Sequence, residues 1–271
     1  MEAVIGQRAP DPIPGPSPST DGAPKPTPTT SGIPAPTTTP SSPSTNGCRT
    51  PGRPATVTRA KHIALTFDDG PFEGTTQEVV AILRRYGVKA TFFDVGSMAQ
   101  SAPGALRAVH LAGHDIANHT WDHPDLRKLT PAAVEDQLTR TARQIEATTK
   151  TWTCFARAPY GATNPTTDAV MAKLGYRKVG WNLDPRDWEM PGVEAIVAKS
   201  TNVAPGAPVT LLLHVRDVDP ILKATTGAAT QTVAALPRII AFYQARGYAF
   251  VRVDGSAFPH AEVLPPVLSA R

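Results

Sequence analysis

No phenylalanine, tryptophan or tyrosine precedes Phe67 in this chain of 271 residues, and 14 of its 29 prolines fall within the first 55. Such a stretch cannot bury enough apolar surface to offset the ~1 to 2 kcal/mol per residue that chain ordering costs. No packed domain is expected there. Cysteine is scarce as well: Cys48 and Cys154 allow one disulfide or two free thiols, and fall short of a zinc-thiolate set. No run approaches the ~18 consecutive apolar residues of a membrane span, and Met1 to Pro16 shows no basic segment followed by an apolar one, the form of a signal peptide. An excess of one charge is lacking too. After Lys61 the chain carries 21 basic and 20 acidic residues, so the pI near 9.2 belongs mostly to the tail and nucleic-acid binding gains no support.

The chain divides by composition. From Pro10 to about Pro43, Pro alternates with Ser, Thr, Ala and Gly, which favours extended, solvated backbone and reads as a linker. At ~3.1 Å per residue it reaches on the order of 100 Å. The expected organisation is a disordered tail over 1–55, a folded domain over 56–260 and a short C-terminal tail over 261–271. Within the domain, strands are expected at His62–Phe67, Val88–Val95, Asp115–Asn118, Trp152–Arg157, Arg177–Leu183, Pro208–His214 and Tyr248–Val253. Helices are expected near Thr76–Tyr86, Pro103–Leu111, Pro131–Thr148, Pro165–Leu174, Val193–Thr201 and Thr232–Arg246. Strict alternation implies a parallel sheet flanked by helices, and about 27 residues per unit suits a closed or nearly closed (β/α) barrel of about seven strands. An open doubly wound sheet is the alternative.

The ionisable residues with chemical character follow strand ends: Asp68 and Asp69 the first, His119 and His123 the third, Arg157 the fourth, Asp184 and Asp187 the fifth, His214 the sixth. In parallel barrels that face builds the active site. Adjacent carboxylates repel unless a cation absorbs their charge. His119 and His123, at i and i+4, can face the same way over one helical turn and hold zinc or a related ion. Two histidines and one carboxylate leave coordination positions open, as catalytic centres do. The remaining groups suit hydrolysis of an acyl group, with Asp68 as base, the metal and nearby backbone N–H groups as oxyanion stabilisers, and His214 as acid. Gly161 after Tyr160 makes a tight turn. Taken singly, Arg157 and Asp187 read as a structural ion pair. His62, His110, His114 and His260 read as structural or exposed, and Trp121, Trp152 and Trp181 as core or rim.

The segments Thr66-Phe67-Asp68-Asp69-Gly70-Pro71, His119-Thr120-Trp121-Asp122-His123, Arg157-Ala158-Pro159-Tyr160-Gly161, Asp184-Pro185-Arg186-Asp187-Trp188 and Leu212-Leu213-His214 together resemble the five ordered motifs of the polysaccharide deacetylases, the NodB-homology family or carbohydrate esterase family 4. The resemblance covers roughly residues 60 to 255. It implies a distorted NodB-like (β/α) barrel that removes acetyl groups from N-acetylhexosamine polymers such as peptidoglycan or chitin, or in some members from acetylxylan. It also implies that Asp69, His119 and His123 ligate a divalent metal, usually zinc, with cobalt or another divalent ion possible. Asp68 is then the base, held by Arg157. His214 is the acid, its ring paired with Asp187. Tyr160 offers its backbone N–H to the oxyanion, and Trp188 and Leu212 line the pocket for the acetyl methyl. One departure stands out. Members usually carry an acidic residue immediately after the motif-five histidine, whereas this chain has Val215, with Asp217 and Asp219 further along. The loop after the sixth strand, and with it substrate fit, is therefore expected to differ more than the chemistry.

The expected partner is an acetylated polysaccharide, with no nucleic acid and no membrane span, and the enzyme is expected to be a monomer. The Pro/Thr linker and possible disulfide suit an exported, wall-associated enzyme. The competing readings are an acetylxylan esterase, a non-catalytic carbohydrate-binding relative, and an iron oxygenase with two histidines and one carboxylate. The last has no need of Asp68 beside the metal or of the distal His214.

Overall fold

The computed structural model describes residues 54–216 and 228–258. The proline-rich tail, Cys48, Asp217, Asp219, His260 and the C-terminal tail lie outside the described residues. In chain order the elements are β1 (His62–Gly70), α1 (Thr75–Arg85), β2 (Thr91–Asp94), α2 (Gly96–Ser101), α3 (Pro103–Leu111), β3 (Asp115–Asn118), α4 (Pro131–Thr149), β4 (Phe155–Ala156), α5 (Pro165–Lys173), β5 (Arg177–Lys178), α6 (Val193–Thr201), β6 (Val209–His214), α7 (Ala228–Ala245) and β7 (Ala249–Phe250).

Alternation along β1 separates two apolar layers. Ile63, Leu65 and Phe67 join Phe92, Leu211 and Leu213 under Val79 and Leu83 of α1 and Ile239 and Ile240 of α7. Ala64, on the opposite face, packs with Phe93, Ala117, Phe155, Val179, Val251 and Val253 in the barrel interior. Burying each of the larger side chains contributes roughly 1.5 to 3 kcal/mol. Thr66 and Asp68 continue the interior face, in register with Leu212 and His214 of β6.

The sheet is parallel, in the order β5-β4-β3-β2-β1-β6, and β7 pairs with the start of β1. It closes on itself. After β5 the chain returns to β6: Leu183 bridges Leu211, Asn182 N–H donates to the Thr210 carbonyl at 3.1 Å, and Leu212 N–H donates to the Leu183 carbonyl at 3.0 Å. The distorted barrel is thus present and the open sheet is not. Ala55 is already engaged, buried and bridged to Val179.

The fourth, fifth and seventh strands differ from the sequence expectation. β4, β5 and β7 each pair over only two residues, where runs of six or seven were expected. Apolar runs report burial rather than pairing, and in a strongly curved barrel the ladders part while the side chains stay inside. The short helix α2 was also unanticipated, because six residues beginning at Gly96 carry too little 3.6-residue periodicity. The start of α4 follows the expected rule, with Pro131 at its first position and Thr130 Oγ1 accepting the Ala133 N–H.

Candidate active site

Asp68 ends the interior face of β1 and is buried beneath the barrel mouth. Arg157 reaches it across the barrel, donating from Nη1 to Asp68 Oδ1 at 2.6 Å and to Thr66 Oγ1 at 3.0 Å. Nη2 of the same guanidinium donates to the Gly180 carbonyl at 3.0 Å, and its plane lies 4.0 Å over the Phe93 ring. Asp68 Oδ2 is left 3.6 Å from His119 Nε2.

Strict alternation would send Asp69 to the opposite face from Asp68. A β-bulge prevents this: the register slips between Asp68 and Gly70, and Asp69 takes the left-handed conformation with φ +72°. Its Oδ1 then lies 3.4 Å from His119 Nε2 and 3.1 Å from His123 Nε2. The donor atoms of Asp69, His119 and His123 all fall within 4.8 Å of one another. The two imidazoles do not sit on a helical turn, contrary to the sequence expectation. The segment between them is a tight loop with Thr120 at φ +70° and His123 at φ +60°. Side chains from the scaffold hold it: Asn118 Oδ1 accepts the Thr120 N–H at 2.9 Å, and Gln137 Oε1 accepts the Trp121 N–H at 2.8 Å.

Charge follows geometry. Burial alone would raise the Asp69 carboxyl, but His119, His123 and the charge of His214 hold it well below the usual carboxylate range. Burial lowers His119, and the charges of Asp68 and Asp69 with the Asp69 contact outweigh it, so its ring is raised above the ordinary value. Behind Gly70, burial pushes the Asp94 carboxyl up to about 8 against the pull of His119.

The other side of the site is built on Asp187, which has no exposed surface. Its Oδ2 accepts the His214 N–H at 2.8 Å and the Thr232 hydroxyl at 2.7 Å, while its Oδ1 accepts the Trp188 N–H at 3.1 Å and lies 2.8 Å from His214 Nδ1. Burial lowers His214, but the charge and hydrogen bond of Asp187, with Asp69 and Asp68 behind it, lift the ring to about 9. Arg157 and Asp187 do not pair with each other, as their reading in isolation had it, because each holds a different partner.

Leu212 is buried on the same strand face as His214, and Trp188 is half exposed. Tyr160 is also exposed, in a 3₁₀ turn over Pro159–Gly161, with φ +60° and its ring centroid 4.8 Å from that of His123. Gly161 has φ +65°, and a Cβ there would meet Trp181 Cη2 at 2.8 Å, so the turn and the rim tryptophan require glycine. His114 is structural as expected: it is buried, lowered by burial to about 3, and its Nδ1 accepts the Ala90 N–H. Val215 is buried and donates its N–H to the Asp68 carbonyl at 3.1 Å. Cys154 is disulfide-bonded. Thr232, Asn118 and Gln137 were absent from the sequence reading, since no motif marks a residue that acts only by holding another.

The chain has relatives among known proteins. The sequence profile of the family described as polysaccharide deacetylase matches residues 55–179. A chitooligosaccharide deacetylase of Azorhizobium caulinodans is 36% identical over 201 residues, which cover 73% of this chain and 96% of that protein. The peptidoglycan-N-acetylglucosamine deacetylase PgdA of Listeria monocytogenes is 32% identical over 194 residues, covering 72% of this chain and 38% of that longer protein. Among solved structures, a family 4 carbohydrate esterase from Streptomyces lividans in complex with acetate superposes with a TM-score of 0.62 at 32% identity, covering 70% of this chain and 91% of that one. With such identity sustained across nearly the whole of a relative, the chain belongs to the polysaccharide deacetylases of carbohydrate esterase family 4, a family of hydrolases.

Proposed function

We propose that this chain removes acetyl groups from N-acetylglucosamine residues of a glycan, using a divalent metal held by Asp69, His119 and His123. The observation that carries the metal is Asp69 Oδ1, which is buried without a hydrogen bond although two imidazole nitrogens stand 3.1 and 3.4 Å away. Acceptors converging in this way fit a cation. His119 supports the reading, because its Nδ1 faces the Arg157 carbonyl at 2.8 Å and its Nε2 therefore carries the outward lone pair in the neutral ring. Nitrogen and oxygen donors in this number suit zinc, with cobalt as a substitute. Bound there, the ion would act as a Lewis acid that polarises the amide carbonyl and acidifies water.

The chain's own groups divide the proton work. Asp68 receives the proton of the attacking water on Oδ2, since Arg157 occupies Oδ1. Tyr160 offers its main-chain N–H to the oxyanion, and Leu212 and Trp188 enclose the acetyl methyl. His214 gives its Nε2 proton to the leaving nitrogen, while Asp187 retains the proton on Nδ1. The products are acetate and a free amine. The acid–base pair beside the cluster, Asp68 with Arg157 and His214 with Asp187, favours hydrolysis over oxygen chemistry.

The glycan is drawn from the substrates named for the relatives, a chitooligosaccharide and peptidoglycan. The Pro/Thr tail and the half-cystine at Cys154 support action outside the cytoplasm. The test is acetate release from chitooligosaccharides, peptidoglycan fragments and acetylxylan. Release from either amino-sugar polymer is expected; release from acetylxylan alone would make the chain an esterase.

A further inference from the structure

Both carboxylates of the Asp68–Asp69 pair have one oxygen toward a histidine and the other toward an arginine. For Asp68 the arginine is Arg157. For Asp69 it is Arg216, whose Nη1 lies 3.7 Å from Oδ2. Arg216 belongs to none of the five motifs, and the backbone before it is held against the site. The chain leaving β6 stays paired to β1 through the Val215 N–H and the Asp68 carbonyl, and Val215 is buried so closely against Gly70 that a Cβ there would meet Val215 Cγ2 at 2.8 Å. The Arg216 side chain, 28% exposed, is thereby set beside Asp69.

We propose that Arg216 is a positioning residue for Asp69, engaging Oδ2 so that only Oδ1 serves the divalent ion and weakening the site's hold on that ion. This rests on the metal reading above. Two physical effects act in the same direction. A carboxylate oxygen drawn toward a guanidinium is the poorer ligand of the two, which favours coordination through the other oxygen alone and leaves more coordination positions open for water and substrate. A full positive charge next to the ligand also repels the ion it binds. The centre is therefore held open at some cost in affinity.

The experiment is titration of metal-free full-length protein with zinc or cobalt against a chromophoric chelator, with no substrate present. The variants are Arg216→Gln and Arg216→Lys, each checked for native circular dichroism. Removing the charge in R216Q should tighten the dissociation constant about tenfold. R216K, which keeps the charge, should stay within about threefold of the unsubstituted protein. A dissociation constant in R216Q within twofold of the unsubstituted value, or weaker, overturns the proposal while leaving the metal centre intact. Failure of the unsubstituted protein to take up either ion overturns the metal centre and this proposal with it.

Discussion

His119 Nδ1 lies 2.8 Å from the carbonyl oxygen of Arg157. A carbonyl only accepts, so this contact places a proton on Nδ1 and turns Nε2 toward Asp69. The guanidinium of the same arginine holds Asp68 at 2.6 Å. One residue therefore serves two tasks through different atoms, which a substitution can separate. Arg157→Lys keeps the carbonyl and loses the fork. Zinc affinity should stay within about threefold, while kcat falls by at least ~10²-fold because the base is misplaced. The two are read by chelator competition and by single-substrate kinetics.

Metal uptake should depend on pH with a definite sign. His119 is raised above its ordinary value, so without metal the ring stays protonated further up the scale, and the ion must displace that proton. The apparent affinity should rise with pH and then level off. Calorimetry in buffers of different ionisation enthalpy should show proton release on binding.

His214 sets the opposite limb. Its proton is held up to about 9, so the acid remains competent across neutral pH and fails only above that. Asp187→Asn removes the charge that opposes burial. The alkaline limb of kcat/KM should then move down by at least ~1 pH unit. Thr232→Val removes the hydroxyl donated to Asp187 Oδ2 but leaves the carboxylate charge, so kcat should fall about tenfold from loss of alignment while the limb does not move down. An unmoved limb in Asp187→Asn would detach His214 from the acid role.

Packing behind the loop between His119 and His123 is tight at Gly96. A Cβ on Gly96 would sit 2.5 Å from Trp121 Cε3 and 3.1 Å from the Thr141 Cα. Gly96→Ala should cost about 1 to 3 kcal/mol, read as a lowered Tm. Activity should fall with it, since Trp121 belongs to the loop between the two histidines.

Much of this was legible in the sequence. Alternation of apolar runs with helical periods located all seven strands, though not the lengths of β4, β5 and β7, and with them the strand ends near Asp68, His119, Arg157 and His214; Asp187 lies in a turn well beyond the end of β5. Backbone conformation was not legible. Nothing in Asp68-Asp69 announces the bulge that turns both carboxylates to one side, and i, i+4 spacing suggested a helix where Thr120 and His123 adopt left-handed conformations. Partners distant in sequence were hidden as well. Thr232 reaches Asp187 from a helix 45 residues away, and Arg216 follows a motif without belonging to it.

If a divalent ion on Asp69, His119 and His123 is needed to deacetylate N-acetylglucosamine residues, as we propose, turnover must stop when the ion is removed. The direct measurement is acetate released from a chitooligosaccharide by the full chain after exhaustive chelation, with and without added zinc or cobalt. The expected result is no release from the metal-free protein, recovery on addition of either ion, and no recovery in Asp69→Ala. Undiminished acetate release by rigorously metal-free protein would contradict it.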